Sequence, residues 1–207
     1  MINNYEYDEN GVIYQKDRIP FIYDKNYVTV RYDTYNQLNV AMSHLRLGYI
    51  IGVLGHIPTS ILDVGYGNGA FLKACCDIIP RCLGHDISGY EIPTKCEFVA
   101  DIFKAKVEVM TFFDSLEHFQ NPYFMKNLDC KYVCISLPWC HNFSDEWFEN
   151  WKHRRPNEHL WHFNDKSLSA FMVSQGYKVR NICDIEDTIR QSTFDYSNIL
   201  TGIFEKC

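Results

Sequence analysis

The chain has 207 residues, 46% of them hydrophobic and 22% charged, with a formal net charge of -6. That length suits one domain with room for a real core, and the charge disfavours a nucleic-acid partner. Nine scattered cysteines, several in apolar runs, argue against a secreted disulfide framework and for buried free thiols in a reducing compartment.

Taken in chain order, the polar and acidic start MINNYEYDEN carries no signal-peptide pattern. Residues 1–32 hold six of the fourteen tyrosines and read as short extended pieces broken by Gly11 and Pro20. Leu38, Met42, Leu45 and Tyr49 recur at helical spacing, which predicts an amphipathic helix over 34–54, capped by Asp33 or Thr34 and ended by Gly55. The apolar stretch LRLGYIIGVLGHI is too short for a membrane span and contains Arg46 and His56, so the expectation is a cytoplasmic protein.

From residue 60 strands and helices alternate. SILDV is a buried strand, and GAFLKACCDII a helix closed by Pro80. RCLGHD, CEFVA, VEVMTFF and KYVCISL are further strands, with NPYFMKNL a short helix capped by Asn121. NDKSLSAFMVSQG is a helix between Asn164 and Gly176. YKVRNIC and NILTGIFEK close the chain as a hairpin with no helix between them. This pattern predicts an α/β fold, a seven-stranded mostly parallel sheet with helices on both faces and a C-terminal antiparallel hairpin.

The loop GYGNGA, Gly65 to Ala70, joins a strand to a helix. Glycines there let the backbone approach a ligand, and the helix N-terminus offers free N–H groups to an anion. The loop fits both the dinucleotide fingerprint G-x-G-x-x-A and the G-x-G-x-G of S-adenosylmethionine binders. Asp86, 21 residues after Gly65, suits ribose hydroxyls in either case. Asp63 ahead of the loop, FFDSLEHF at the end of the fourth strand, and the roughly 120 residues after Asp86, short for a second nucleotide-binding half, favour S-adenosylmethionine.

ILDVGYGNGAFL, GHDIS, VEVMTFFDSLEHFQNP and NEHLWHFNDKSLSAFMVSQGYKV resemble successive motifs of class I S-adenosylmethionine-dependent methyltransferases, closest to the ubiquinone-biosynthesis-like small-molecule branch. The resemblance spans residues 60 to about 180. It implies a Rossmann-like fold in one methyltransferase domain over 1–207, made of an N-terminal lid and helix (1–56) and a cofactor-binding core (57–207) with a substrate-side insertion at 138–163. It further implies that Gly65, Tyr66, Gly67 and Gly69 line the methionine part of S-adenosyl-L-methionine with Asp63 nearby. Asp86 and Ile87 would hold the ribose side, Asp101 and Ile102 the adenine, and Asp114 and Ser115 would close the cofactor side. Arg31 would pair with the cofactor's carboxylate from the lid. The ten residues ISGYEIPTKC, with Pro93 among them, leave no room for the helix usual in that crossover.

Methyl transfer to a hydroxyl needs alignment, exclusion of water and a route for the proton. Glu117 and His118 match the family's EH pair at the junction of cofactor and acceptor, with His118 the favoured base and His159 the next. All four tryptophans and four of the eight histidines lie between 139 and 163, in the long connection after the fifth strand, where ligands of open α/β sheets bind. Cys134, Cys140, His141, His153, His159 and His162 lack metal-ligand spacing, so no metal is expected. KHRR, residues 152–155, is a solvated turn or a hold for an acidic group on the acceptor, and the fourth-strand motif is not that of base amino-group methylation. Two other functions stay open: a cofactor binder without catalysis, and an NAD-dependent oxidoreductase. The acceptor expected is a small molecule, with oxygen the receiving atom.

Overall fold

Five apolar runs bounded by glycine, proline or polar turns take up parallel strands side by side, and the last two strands of the chain extend the sheet antiparallel. The computed structural model describes residues 2–24, 29, 36–190 and 195–207. Arg31 and the predicted helix caps Asp33 and Thr34 lie outside the described residues.

In order, the chain forms β1 (Tyr5–Tyr7), β2 (Ile13–Gln15), α1 (Asn36–Leu54), β3 (Ser60–Val64), α2 (Ala70–Cys75), β4 (Arg81–His85) and β5 (Glu97–Phe98). There follow β6 (Lys106–Phe113), β7 (Asp129–Pro138), α3 (Asp145–Asn150), β8 (Trp161–His162), α4 (Asp165–Ser174), β9 (Tyr177–Cys183), α5 (Asp187–Arg190) and β10 (Ile199–Lys206). The seven-stranded sheet runs β5-β4-β3-β6-β7-β10-β9, the doubly wound α/β order with a reversed strand pair at one edge. One apolar cluster packs Leu168, Phe171 and Met172 of α4 on one face, and another packs Leu47 and Ile50 of α1 with Phe71 and Leu72 of α2. Among the described residues no helix is long and apolar enough to cross a membrane.

Several elements differ from the sequence reading. The helix after the glycine loop stops at Cys75 instead of running to Pro80, and the chain turns through Ile78 and Ile79, both of whose N–H groups bond back to Cys75 O. The third strand shrinks to two exposed residues at the sheet edge, where only β4 pairs with it. NPYFMKNL forms 3-10 turns over Pro122–Asn127, with Asn121 accepting from the Tyr123 N–H. A short helix, α5, interrupts the connection expected to be a plain hairpin. The Asn164 cap holds as a full capping box with Ser167.

A second sheet, β1-β2-β8, was not foreseen. It ties the tyrosine-rich N-terminus to the connection after β7, pairing Ile13 with His162 and Tyr14 with Trp161.

Candidate active site

Three strand ends converge at one edge of the sheet. The first, β3, delivers Asp63 and the glycine loop. Asp63 is 3% exposed and accepts a 2.7 Å hydrogen bond from Thr111 Oγ1. Burial pushes its carboxyl up to about 6, with Thr111 and Arg46 opposing the shift only in part. Gly65 has φ +85°, and a Cβ there would stand 2.8 Å from Ser115 Cβ, so only glycine lets the loop lie against the end of β6. Gly69 has φ +72° and its missing Cβ leaves space for the Pro93 ring.

Asp86, at the end of β4, braces this loop. Its Oδ2 accepts from the Gly67 N–H at 2.8 Å and its Oδ1 from the Ser88 N–H at 2.7 Å. Each carboxylate oxygen keeps a further lone pair for a ligand hydroxyl. Ile87 beside it is 72% exposed.

Two predicted contacts are placed elsewhere. The Tyr66 ring packs into the core against Gly84, and its hydroxyl donates to Tyr90 O at 2.6 Å, so only its backbone faces the loop. Ile102 joins the core, while Asp101 is half-buried at the cap of its 3-10 turn and accepts from the Phe103 N–H.

The end of β6 continues into the second half of the site. Ser115 Oγ donates to Val64 O at 2.7 Å, which locks the turn onto β3. Asp114, in the left-handed region at φ 52°, was expected to close the cofactor side. Instead its carboxylate takes 3.1 Å contacts from both Arg46 and Arg190. Both arginines also grip Glu186, at 2.7 Å from Arg46 and 3.0 Å from Arg190, and Glu186 is 0% exposed. Burial alone would raise the Glu186 carboxyl, but the two arginines outweigh it and hold it below the ordinary value. This network joins α1, β6 and α5, and the sequence reading missed it. The signal was present only as Glu186 and Arg190 four residues apart, at the start and end of one short helical turn.

Glu117, His118 and His159 come together as a group whose ligand atoms all lie within 4.8 Å. Glu117 and His118 sit on the 3-10 turn Leu116–His118. The segment after α3 reaches them because the Leu160 N–H donates to Glu117 O at 2.8 Å. His118 Nδ1 lies 2.8 Å from Glu158 O. In the tautomer whose Nδ1 proton is donated to this carbonyl, Nε2 is the basic nitrogen. That nitrogen faces Glu117 Oε1 at 3.8 Å, and the His159 ring meets the His118 ring edge-on at 4.8 Å. Tyr23 closes over this corner, its hydroxyl 2.7 Å from His118 Nδ1. Among the described residues neither ring nitrogen of His159, 2% exposed, has a hydrogen-bond partner, and Glu158 Oε1 stands 4.0 Å from its Nε2. Burial, then the neighbouring His118, hold His159 far below the usual histidine value, so its ring is neutral.

The aromatic segment divides in two. Trp151 and His162 are buried with Tyr5 and Phe148, and Trp161 stacks on Tyr14, so these residues cover the sheet rather than line a cavity. Trp139, His141 and Phe143 form a stack beyond the end of β7, with Tyr196 packed edge-on against His141 and Phe143. In the KHRR turn, Arg154 lies over the Tyr5 ring and Arg155 pairs with Glu158 at 3.1 Å.

A family model described as a methyltransferase domain matches residues 41–182. No curated protein matches the chain. Among solved structures, a Burkholderia thailandensis 1,6-didemethyltoxoflavin-N1-methyltransferase with bound 1,6-didemethyltoxoflavin and S-adenosylhomocysteine aligns at TM-score 0.59 and 12% identity, over 98% of this chain and 99% of that one. Magnesium protoporphyrin IX methyltransferase of Synechocystis, solved with S-adenosylhomocysteine, aligns at TM-score 0.59 and 10% identity, over 89% and 98%. A complex of the Haloferax volcanii Trm112 methyltransferase activator with a methyltransferase aligns at TM-score 0.60 and 14% identity, over 89% and 99%. At such identities these likenesses speak to the fold.

Proposed function

This chain belongs to the methyltransferase-domain family, and on that premise we propose that it transfers a methyl group from S-adenosylmethionine to a hydroxyl oxygen of a small molecule. The residues fit that cofactor. Gly65, Gly67 and Gly69 form a loop with close backbone approach, the buried Asp63 carboxyl lacks a full countercharge and suits an ammonium group, and Asp86 retains acceptor capacity at a strand end. When bound, S-adenosylmethionine supplies a methyl carbon on a positively charged sulfur. The small-molecule methyltransferases among the structural neighbours support this cofactor and class of acceptor.

The observation that carries the reading is His118. Its Nδ1 lies against the Glu158 carbonyl and the Tyr23 hydroxyl, its Nε2 stands 3.8 Å from Glu117 Oε1, and it sits three residues beyond the Ser115 that touches the glycine loop. His118 Nε2 takes the hydroxyl proton of the acceptor, and Glu117 stabilises the imidazolium that results. Tyr23 and the 157–160 segment keep water from that corner, which supports a lid role for the N-terminal segment. The test is His118→Ala: turnover falls at least about 100-fold while affinity for S-adenosylhomocysteine stays within about threefold. Unchanged turnover removes His118 from the chemistry.

One observation favours a second form of the same step. Glu117, His118 and His159 offer a carboxylate and two imidazoles in one buried cluster, a donor set suited to a divalent cation that lowers the acceptor's pKa. Dialysis against a chelator, followed by magnesium, manganese or zinc, decides between the two forms. Activity that survives chelation supports the histidine alone; activity lost and restored by one ion supports the metal.

A further inference from the structure

We propose that Cys76 and Cys96 are a redox-sensitive thiol pair that closes into a disulfide and clamps the crossover between β4 and β5 onto α2. The two sulfurs lie 2.8 Å apart, and both cysteines are free and partly exposed. Cys76 is the capping residue at the end of α2, and Cys96 immediately precedes β5. Between β4 and Cys96 runs the short crossover that lacks a helix. It still bears on the glycine loop: Pro93 fills the space over Gly69, Ile92 packs against Gly84, and Tyr90 O accepts from the Tyr66 hydroxyl. The exposed ion pair of Lys95 with Asp77, 2.6 Å, runs beside the thiols from the end of α2 to the crossover. A covalent tie there replaces the packing that a crossover helix would supply, and it does so with sulfurs already closer than a van der Waals contact.

Access favours Cys76 as the first to react. It lines an open cleft of about 520 Å³ between α2 and residues 90–95, through which one end of a small disulfide such as oxidised glutathione can reach it. Burial raises the Cys96 thiol well above its ordinary value and keeps it protonated until a partner sulfur is in place. The Cys76 thiolate attacks one sulfur of oxidised glutathione, forming a mixed disulfide and releasing one glutathione thiolate. Cys96 then gives its proton to that thiolate and attacks the Cys76 sulfur, releasing the second glutathione thiolate. The protein loses two thiol hydrogens and two electrons, and one oxidised glutathione becomes two reduced ones.

The full chain is incubated in buffers of rising oxidised-to-reduced glutathione ratio, alkylated and digested. The expected result is a linked peptide joining Cys76 to Cys96, together with a Tm increase of about 6 °C or more, since the bond closes a loop of roughly twenty residues. Both are absent in Cys96→Ser, and dithiothreitol reverses them in the wild type. The proposal is overturned if both cysteines stay separately alkylatable at every ratio, if Cys76 stops at a glutathione adduct, or if the linked form melts with the reduced one. Peptide mapping of the wild type decides the matter even where Cys96→Ser does not fold, and it is independent of any methyl acceptor.

Discussion

Asp86→Asn tests the cofactor cradle with the least change of shape. Both carboxylate oxygens are engaged, Oδ2 with the Gly67 N–H at 2.8 Å and Oδ1 with the Ser88 N–H at 2.7 Å. An asparagine amide keeps one acceptor and turns an NH2 toward the other N–H. One charge-assisted bond is lost, and a donor is set against a donor, at about 2 kcal/mol. For a chain of this size that lowers Tm by roughly 4–8 °C. On the proposed placement of a ribose hydroxyl on the same carboxylate, that bond loses a similar amount, so affinity for S-adenosylhomocysteine falls about 30-fold. Calorimetric titration reads the affinity and a melting scan reads the stability. Affinity within twofold of the wild type refutes the placement of Asp86 at the ribose; a lower Tm with unchanged affinity leaves it only a brace for the loop.

Gly65→Ala forces a side chain at φ +85° and 2.8 Å from Ser115 Cβ, so a loss of about 2–4 kcal/mol is expected in urea unfolding; a loss below about 0.5 kcal/mol contradicts the close approach. Glu186→Gln leaves Arg46 and Arg190 facing a neutral amide in a buried site and costs about 3–5 kcal/mol, read the same way. The buried Asp63 carboxyl, raised from 3.8 to about 6, binds its proton more tightly folded than unfolded. Stability of the unliganded protein therefore falls by up to about 3 kcal/mol as pH rises from about 4 to 6, then levels off. If the ammonium group of S-adenosylhomocysteine pairs with the ionised carboxylate as proposed, its affinity moves the opposite way and weakens as pH drops through 6; a flat affinity profile from pH 5 to 7.5 refutes that pairing.

The strand–loop–helix at 60–75 was legible because its signals are local: a five-residue apolar run, alternating glycines and a helix-like stretch. So was the Asn164 cap, since a capping box is written in four consecutive residues. Less was legible where contacts are distant. The β1-β2-β8 sheet depends on Tyr14 meeting Trp161, far along the chain, and nothing in GVIYQKD names that partner. The salt-bridge network that takes up Asp114 needs Arg46 and Glu186 brought together from the two ends of the chain. Ile102 and Tyr66 were assigned by motif position, while side-chain direction is set by the core each strand end packs on. Glu117 and His118 were found from a dipeptide and His159 was named as the second candidate base, but that the three form one cluster depends on the Leu160–Glu117 hydrogen bond between distant segments.

The identity of the atom that receives the methyl group can be read from the product. The protein is incubated with S-adenosylmethionine carrying a carbon-13 methyl group and a low-molecular-mass metabolite extract, and the carbon-13 spectrum of the products is recorded. A methoxyl signal that His118→Ala abolishes is the predicted result. A labelled methyl on nitrogen or carbon, or label found only in a nucleic-acid or protein fraction, contradicts it.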